Sequence, residues 1–530
     1  MRFSVPIDPS GFKKIANCAT ASKKLRTFAA RNRTYPPLRD IHKTVRNMNR
    51  IHLSVPRLLC LWLLLLLACG LQAATPFDSE TGPKRETRAV WLTTIKGLDW
   101  PRSHQPEAQR RQLAQQLDQL RLCGINTVLV QTRIRATTIY PSDMEPWDAC
   151  LTGTAGRSPG YDPLQTIIDE CHSRGMEVQA WIVTMPIGEW NSVGAKSLRS
   201  RRPEVVKRIR QDAYMNPEAA ATAAYMADIC REVVSRYDID GIHLDYIRYP
   251  EQWRGRKNRE CITRIVRAVA QAVKGCKPWV KMSCSPVGKH SDLARYSSRG
   301  WNARDAMGQD AQLWLREGLM DELYPMMYFR GNQFHPFAID WAEHLYGGNV
   351  ATGLGIYFLN PREGRWPLDE VTRQMNVARS LGLGHCFFRT KFLLDNDKGI
   401  YDFTRWFNRT PALVPPMRSA PCPAPQAPPS LQRRLLQGAD MLAWQPADAP
   451  EDKRSGGILY NVYASDQWPV NTDDPANLVA MHVGQTQMAI PMGRPRHYAV
   501  TAIDRYGQES QPRQEQPRQP TGRRSVGMSK

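Results

Sequence analysis

The sequence predicts an α/β protein, a (β/α)8 TIM barrel followed by a small all-β sandwich. Eight short apolar segments between residues 88 and 389 alternate with amphipathic helical segments. Apolar strands that alternate with such helices indicate a parallel sheet buried on both faces. A doubly wound open sheet is the alternative, but no G-x-G-x-x-G turn follows the first strand, which removes its usual dinucleotide-binding form. Eight units favour the barrel.

The eight predicted strands are defined by their apolar and β-branched residues. They are RAVWL (88–92), NTVLVQTR (126–133), MEVQAWIV (176–183), GIHLD (241–245), KMSCS (281–285), ELYPMMY (322–328), VATGLGIY (350–357) and GHCFFR (384–389). Between them, apolar residues recur at helical spacing, as in Leu113, Leu117 and Leu120. Gly124 and Gly175 follow the first two predicted helices, where glycine commonly ends a helix. The barrel is predicted over residues 84–410.

The composition changes after the barrel. Residues 411–430 are rich in proline, which predicts a stiff, extended linker. Short alternating strands over 431–512 predict an antiparallel sandwich that resembles a fibronectin type III module, with Trp444 and Tyr460 in its core. Residues 513–530 are predicted to be a disordered tail. A chain cut near Arg409 is therefore expected to keep a folded barrel.

The N-terminal region resembles an export signal. The formal net charge is +22, and its basic residues crowd the two ends of the chain around a mixed-charge middle, which does not favour a nucleic-acid partner. Arg57 precedes an apolar run from Leu58 to Leu67 and then small residues up to Ala74, a pattern too short for a membrane-spanning helix. We expect a signal peptide over 48–74, preceded by a disordered or over-extended leader over 1–47.

This signal predicts export to the cell envelope or secretion. Cys69 resembles the attachment site of a lipoprotein, so soluble export and a lipid anchor both stay open. The twelve cysteines form no CxxC pair and have no nearby histidine at metal-ligand spacing. The sequence therefore implies no metal and no organic cofactor.

Polar residues gather where the predicted strands end. In a barrel of this kind the active site lies at the C-terminal ends of the strands. His243 and Asp245 alternate with apolar neighbours and so point to the same side of the fourth strand, toward the barrel interior. A carboxylate there is useful as a nucleophile or as an acid or base. The other strand-end candidates are Gln131, Arg133, Trp181, Tyr328 and Arg389.

The segments RAVWLTT, INTVLVQTR, YPSDMEPW, DGIHLDYIRYP and QDAQLWLREGLMDELYPMMYF resemble the glycosyl hydrolase-like 10 family of bacterial envelope proteins. The resemblance runs in chain order from about Arg85 to Phe403. It implies a glycosidase barrel related to α-galactosidase-like enzymes and a link to cell-wall glycan. The strand-four carboxylate is the nucleophile in those relatives, and this role maps onto Asp245. The other polar residues of the motif map as substrate-binding residues: His243, Tyr246, Arg248 and Tyr249.

The resemblance is incomplete at strand six, which offers no carboxylate at its C-terminal end. Asp310 is the expected substitute for the missing acid/base residue. Each candidate also has a structural interpretation: Asp245 as a carboxylate held by an arginine, His243 as a core residue and Asp310 as a helix cap. In the same way, Arg133 and Arg389 would be ion-pair partners, and Trp181 would be inner packing.

Two functions follow from these patterns. The first is a glycoside hydrolase acting on a bacterial polysaccharide, with cell-wall glycan as the expected substrate, in which arginines at the mouth bind carboxylates. The alternative is a non-catalytic carbohydrate-binding envelope protein. A second carboxyl near Asp245 would favour the enzyme, because glycoside hydrolysis uses two.

Overall fold

A computed structural model describes residues 82–418, 420, 423–436, 439–448, 457–491 and 497–516. The predicted leader, signal peptide and Cys69 lie outside the described residues. No helix in these ranges is long and apolar enough to cross a membrane. The described residues all belong to one compact unit.

Eight parallel strands close a barrel, as predicted. They are β1 (Arg88–Leu92), β2 (Thr127–Arg133), β3 (Glu177–Val183), β4 (Gly241–Asp245), β5 (Lys281–Cys284), β6 (Glu322–Leu323), β7 (Asn349–Leu354) and β8 (Gly384–Phe387). The order follows the chain, and β1 pairs with both β2 and β8. The sixth strand is much shorter than predicted, because Pro325 has no N–H to continue the ladder.

Helices follow the strands and cover the barrel. The main ones are Pro106–Leu122, Pro163–His172, Ala220–Arg236, Arg259–Cys276, Ala311–Arg316, His335–Glu343, Leu368–Ser380 and Ile400–Phe407, with shorter helices at Arg304–Met307 and Thr390–Leu394. The outward side chains of the strands, such as Val128 and Val130, pack under these helices, whereas Trp91, Leu129 and Trp181 form a separate inner cluster. This two-sided burial is why the strands are continuously apolar.

An insertion after β3 was not predicted from the sequence. It contains strands Pro186–Glu189, Val206–Ile209 and Asp212–Met215 and the helix Val193–Arg201. The strands form a small antiparallel sheet in which Asp212–Met215 is central. Each strand has only four residues, so alternation within it is too short to be recognised. The insertion extends the wall of the barrel at the C-terminal ends of the strands, which we call the mouth.

The C-terminal region contains two antiparallel sheets, as predicted. One consists of Leu431–Leu436, Ala439–Trp444 and Gln487–Ala489; the other consists of Leu478–Val483, Ile458–Ser465, His497–Asp504 and Arg513–Gln514. Trp444 and Tyr460 are buried in its core with ring centroids 5.4 Å apart. The last strand lies just beyond the predicted boundary at 512. The fibronectin type III assignment stays a prediction.

The sandwich packs on the amino-terminal end of the barrel, opposite the mouth. Arg505 of the sandwich forms ion pairs with Asp238 (2.9 Å) and Asp240 (3.3 Å), which directly precede β4. Lys84, just before β1, forms an ion pair with Glu509 at 2.9 Å. The mouth is therefore left open.

The first residues of the proline-rich segment are part of this packing. Leu413 accepts a hydrogen bond from the backbone N–H of Glu86 (2.9 Å), and Met417 donates to the backbone of Tyr506 (2.8 Å). Ala412, Leu413 and Met417 are buried. These contacts change the expectation that the chain can be cut near Arg409, because a cut there removes residues that complete the barrel.

Candidate active site

Asp245 ends β4 with its carboxylate inside the barrel mouth, as its position in the strand predicts. Only 5% of the residue is exposed. Three donors hold it: Ser285 Oγ (2.7 Å) and the backbone N–H of Tyr246 (2.8 Å) bind Oδ1, and Trp181 Nε1 (3.1 Å) binds Oδ2. Burial raises the pKa of Asp245, although nearby Arg248 and these hydrogen bonds oppose the rise. The carboxylate is thus fixed in place and poorly solvated.

A polar network lies one layer deeper and supports β4 from within. His243 accepts a hydrogen bond from Trp91 Nε1 (3.3 Å) and contacts Ser283 Oγ through Nδ1 (2.9 Å). Ser283 in turn donates to Gln179 Oε1 at 2.6 Å. Burial lowers the pKa of His243 to about 3, so the ring is neutral at physiological pH. His243 is therefore a core residue that positions the strand. This agrees with the structural interpretation of His243 and not with a role in substrate binding.

Two buried polar atoms near Asp245 have no hydrogen-bond partner among the described residues. They are Arg248 Nη1 and the Tyr328 hydroxyl. Arg248 is the strongest charged influence on Asp245, and Asp245 is among the groups that, after burial, raise the pKa of Tyr328. A buried donor without a partner is costly in a folded protein. Donors left unpaired beside a carboxylate are typical of a site that is completed by a bound polar molecule.

Aromatic rings form the wall of this mouth. Phe388 packs against Tyr328 at 5.6 Å, Trp91 at 5.9 Å and Tyr357 at 5.9 Å between ring centroids. Tyr246 is 38% exposed and lies over the guanidinium of Arg248 at 4.5 Å. Exposed aromatic faces beside polar donors suit a ligand with both apolar and hydroxylated surfaces, as sugars have.

A β-bulge moves Arg133 away from the mouth. Gln131 pairs with the inward-facing Trp181, but the register then shifts so that Arg133 pairs with the outward-facing Ile182. The Arg133 side chain is fully buried on the outer side of the barrel wall, where it forms an ion pair with Glu145 at 2.7 Å. The prediction that Arg133 binds substrate is wrong, because the extra residue reverses the side on which its side chain lies.

Three further predicted residues have structural contacts. Gln131 Oε1 accepts the backbone N–H groups of Thr94 (3.1 Å) and Ile95 (2.9 Å), which fixes the loop after β1. Arg389 forms an ion pair with the fully buried Asp99. Tyr249 is fully buried with its ring 5.2 Å from Trp253, in the outer core. Gln131 and Arg389 thus stabilise the loop after β1 at the mouth, whereas Tyr249 is a core residue. Trp181 is buried and hydrogen-bonded to Asp245, which it helps to position.

Asp310 lies on the loop between β5 and β6, at the start of helix Ala311–Arg316. Its side chain makes no capping hydrogen bond, contrary to the capping interpretation. It instead lies 3.5 Å from both Arg259 and His290. Arg259 belongs to the outer helix that follows β4, so Asp310 faces outer elements, and no contact joins it to Asp245.

Glu251 is a carboxylate that the sequence analysis missed. It follows the motif DGIHLDYIRYP directly and is partly exposed on the loop after β4. Burial of the Tyr246 hydroxyl raises the pKa of Tyr246, and the carboxylates of Asp245 and Glu251 both raise it further. Tyr246 thus lies within electrostatic range of both carboxylates. The position of Glu251 directly after the motif is the sequence feature that could have identified it.

A groove of about 650 Å³ extends the mouth over β1, β2 and β3. It is lined by the loops after these strands, with Lys96, Arg102, Arg135, Asp148 and Glu189 as its charged residues. The charge of Arg135 lowers the pKa of Tyr246, so one end of the groove lies within electrostatic range of Tyr246. Its volume is in the range of small-molecule and oligosaccharide sites. Within the described residues, no group of histidine, cysteine and carboxylate side chains has the geometry of a metal site.

The closed parallel barrel and the buried strand-end carboxylate define a (β/α)8 barrel protein with a candidate site at the mouth. The glycosyl hydrolase-like 10 profile matches residues 86–261 and 249–351, half of the chain, and the protein belongs to this family.

Known relatives carry glycosyl hydrolase names. Glycosyl hydrolase YngK of Bacillus subtilis (strain 168) is 29% identical over 403 residues, covering 67% of this chain and 78% of that protein. Glycosyl hydrolase DigH of Escherichia coli (strain K12) is 28% identical over 366 residues, covering 58% of this chain and 83% of that protein. Among solved structures, the PgaB (BpsB) glycoside hydrolase domain from Bordetella bronchiseptica aligns with a TM-score of 0.44 at 13% identity, covering 60% of this chain and 98% of that one.

Proposed function

We propose that this protein is a glycoside hydrolase in which Asp245 is the catalytic carboxylate at the barrel mouth. The observation that carries the proposal is the buried, triply hydrogen-bonded carboxylate beside two buried donors without partners. Burying this carboxylate does not help the protein to fold, because burial disfavours its charged form and raises the pKa of Asp245. It suits an anionic group held ready for a developing positive centre on a sugar.

Glycoside hydrolysis needs a second carboxyl to protonate the leaving oxygen. We propose Glu251 for this role instead of Asp310. The charges of Glu251 and Asp245 both raise the pKa of Tyr246, whereas Asp310 lies between Arg259 and His290. Arg248 and Tyr328 would donate hydrogen bonds to the sugar hydroxyls or carboxylates, and the aromatic wall would pack on the sugar faces.

The substrate we propose is a bacterial polysaccharide, with cell-wall glycan as the first candidate. The predicted export signal supports a location in the cell envelope, and the family membership supports a glycan substrate. The groove beside the site offers room for further sugars along the same chain. The test is incubation of the protein with purified polysaccharides and measurement of new reducing ends. A carbohydrate-binding protein without catalysis would retain the glycan and release no reducing ends.

Glu251→Gln is expected to lower turnover by roughly 10²-fold or more with little change in melting temperature. The amide fills the same space but has no proton to give to the leaving oxygen. A substrate with a good leaving group, such as a nitrophenyl glycoside, should be affected less, because it needs no protonation. Glu218→Gln removes a charge from an exposed carboxylate elsewhere and is the matched control. Equal turnover in both variants would remove Glu251 from catalysis.

The acid limb of the pH profile should lie above the ordinary aspartate range near 3.8. Burial raises the pKa of Asp245, so the carboxylate takes up a proton at a higher pH than an exposed aspartate and loses its catalytic charge there. The measurement is kcat/KM against pH for the wild-type protein, with circular dichroism over the same range to exclude acid unfolding. An acid limb at or below pH 3.8 in the folded protein would contradict Asp245 as the base or nucleophile.

A further inference from the structure

A second surface lies at the other end of the barrel, where it meets the sandwich. It surrounds a cavity of about 390 Å³ that is lined by Arg121, Arg174, Arg405 and Arg409 and by the apolar residues Leu122 and Val479, among others. We call these six residues, together with Trp406, the basal patch. The mouth residues around Asp245 take no part in it.

The basal patch exposes large apolar side chains. Leu122 is 61% exposed, Trp406 is 56% exposed and Val479 is 47% exposed, values at the upper end for apolar residues of the described chain. Trp406 is joined to the cavity by Arg409, whose guanidinium lies 5.2 Å from its ring. Exposed apolar residues that cluster, rather than lying singly, mark a surface that contacts something else.

The charge of the basal patch is positive. Arg121 and Arg405 are exposed and form no ion pair with a described carboxylate, although Arg121 donates to the backbone of Arg174. Arg174 is neutralised by Asp118 and Glu170. The positive charges of Arg121 and Arg405 therefore lie among apolar side chains, including a tryptophan. Basic residues interleaved with tryptophan and leucine are typical of surfaces that rest on anionic lipid.

The chain enters the described region on this same face. The backbone N–H of Gly82 donates to Thr410 Oγ1 at 3.0 Å, next to Arg409. Only a short stretch separates Gly82 from the apolar run Leu58–Leu67 and from Cys69 in the sequence. A lipid anchor at Cys69, which the sequence leaves open, would be followed by a chain that reaches the barrel on the face of the basal patch.

We propose that the basal patch docks on an anionic phospholipid surface. Arg121 and Arg405 contact lipid phosphates while Leu122, Trp406 and Val479 enter the headgroup region. Because Asp245 ends β4 and the patch lies beyond the starts of the strands, docking would turn the mouth away from the membrane. This orientation would leave the groove accessible to a polymer, and it does not depend on which glycan is cleaved.

The test is sedimentation of the chain from Asp78 onward with vesicles, since this part forms a compact unit without the apolar run. Vesicles of phosphatidylglycerol and phosphatidylethanolamine should bind the protein, and vesicles of phosphatidylcholine should bind it much more weakly. The double variant Arg121→Glu with Arg405→Glu should weaken binding at least tenfold, because each arginine near an anionic membrane strengthens binding roughly fivefold. Trp406→Ser should weaken it at unchanged charge.

The control is Arg316→Glu with Arg362→Glu, the same change in charge on exposed residues elsewhere. Equal loss of binding in this control would show that only net charge matters and would overturn the proposal. So would absence of binding to the anionic vesicles, or equal binding to phosphatidylcholine. Competition by millimolar inorganic phosphate, or equally tight binding of a soluble acidic polysaccharide, would indicate an anion site and would also overturn it. Melting temperatures check that every variant is folded.

Discussion

Asp245→Asn should lower turnover on a glycan substrate by roughly 10²–10⁴-fold while the protein stays folded. The amide is nearly isosteric but lacks the charge needed to attack or stabilise the sugar carbon. Glycan binding should survive, because Arg248, Tyr246 and Tyr328 are unchanged. The measurement is kcat and glycan affinity for the variant and for the wild type.

The stability of this variant separates a catalytic carboxylate from a structural one. Breaking a buried structural ion pair costs about 3–5 kcal/mol. Here the pKa of Asp245 is raised by burial, so the protonated form is the one the fold favours, and ionisation above that pKa lowers stability at neutral pH. Asparagine removes that cost but leaves the Trp181 N–H without its acceptor. We expect the two effects to offset each other and the melting temperature to change by only a few degrees.

Asp212→Asn is the matched control for the loss of a carboxylate, since Asp212 lies on the insertion after β3 and is only partly buried. It should leave turnover within a few-fold of wild type. A folded Asp245→Asn with near-normal turnover, or a variant that is strongly destabilised, would remove Asp245 from the catalytic role.

Ending the chain after Arg409 should strongly destabilise the barrel. The cut removes the carbonyl of Thr410, which accepts from Arg88 Nη1 at 2.6 Å, and that of Ala412, which accepts from Asn126 Nδ2 at 2.9 Å. Both donors are buried. Each donor keeps a second acceptor, Asn408 for Arg88 (3.4 Å) and Glu86 for Asn126 (2.9 Å), so each loses one of two bonds. The bond from Glu86 to Leu413 is lost as well. At about 1 kcal/mol for each hydrogen bond, together with the lost burial of Ala412 and Leu413, the cut removes a large part of the stability of a domain.

A chain that ends after Arg418 is the matched control, because it keeps these acceptors and lacks only the sandwich. It should fold with a lower melting temperature, since the pairs from Arg505 to Asp238 and Asp240 are lost. Its activity on short soluble glycans should persist, because the candidate site is at the opposite end. Equal melting temperatures for the two truncations would show that residues 410–418 do not complete the barrel.

The barrel could be predicted from the sequence because its strands are apolar on both faces and its helices repeat at regular spacing. The inward direction of Asp245 followed from strand parity, and the structure confirms that direction. Strand parity failed for Arg133, because nothing in NTVLVQTR marks the bulge that turns it outward. A bulge depends on neighbouring strands and loops, which sequence spacing does not reveal.

The partners of the buried arginines were also beyond reach of the sequence. Arg389 binds Asp99, and Arg133 binds Glu145, a residue contributed by the loop after β2. Only the closed fold brings Arg389 and Asp99, which are far apart in the chain, together. Glu251 was overlooked for a different reason, since it lies just past the motif and has no conspicuous spacing of its own. The candidate site could thus be placed at the barrel mouth from the sequence, but several of the residues around it could not be predicted.

The most direct test of the central claim is digestion of purified peptidoglycan, with and without its stem peptides, by wild-type protein and by Asp245→Asn. Soluble products are identified by mass spectrometry. The proposed function predicts that wild-type protein releases glycan fragments whose masses correspond to hydrolysis of a glycosidic bond, and that Asp245→Asn releases almost none. Fragments in equal amounts from both proteins would contradict the role of Asp245, and their absence with wild-type protein on every glycan tested would contradict the hydrolase itself.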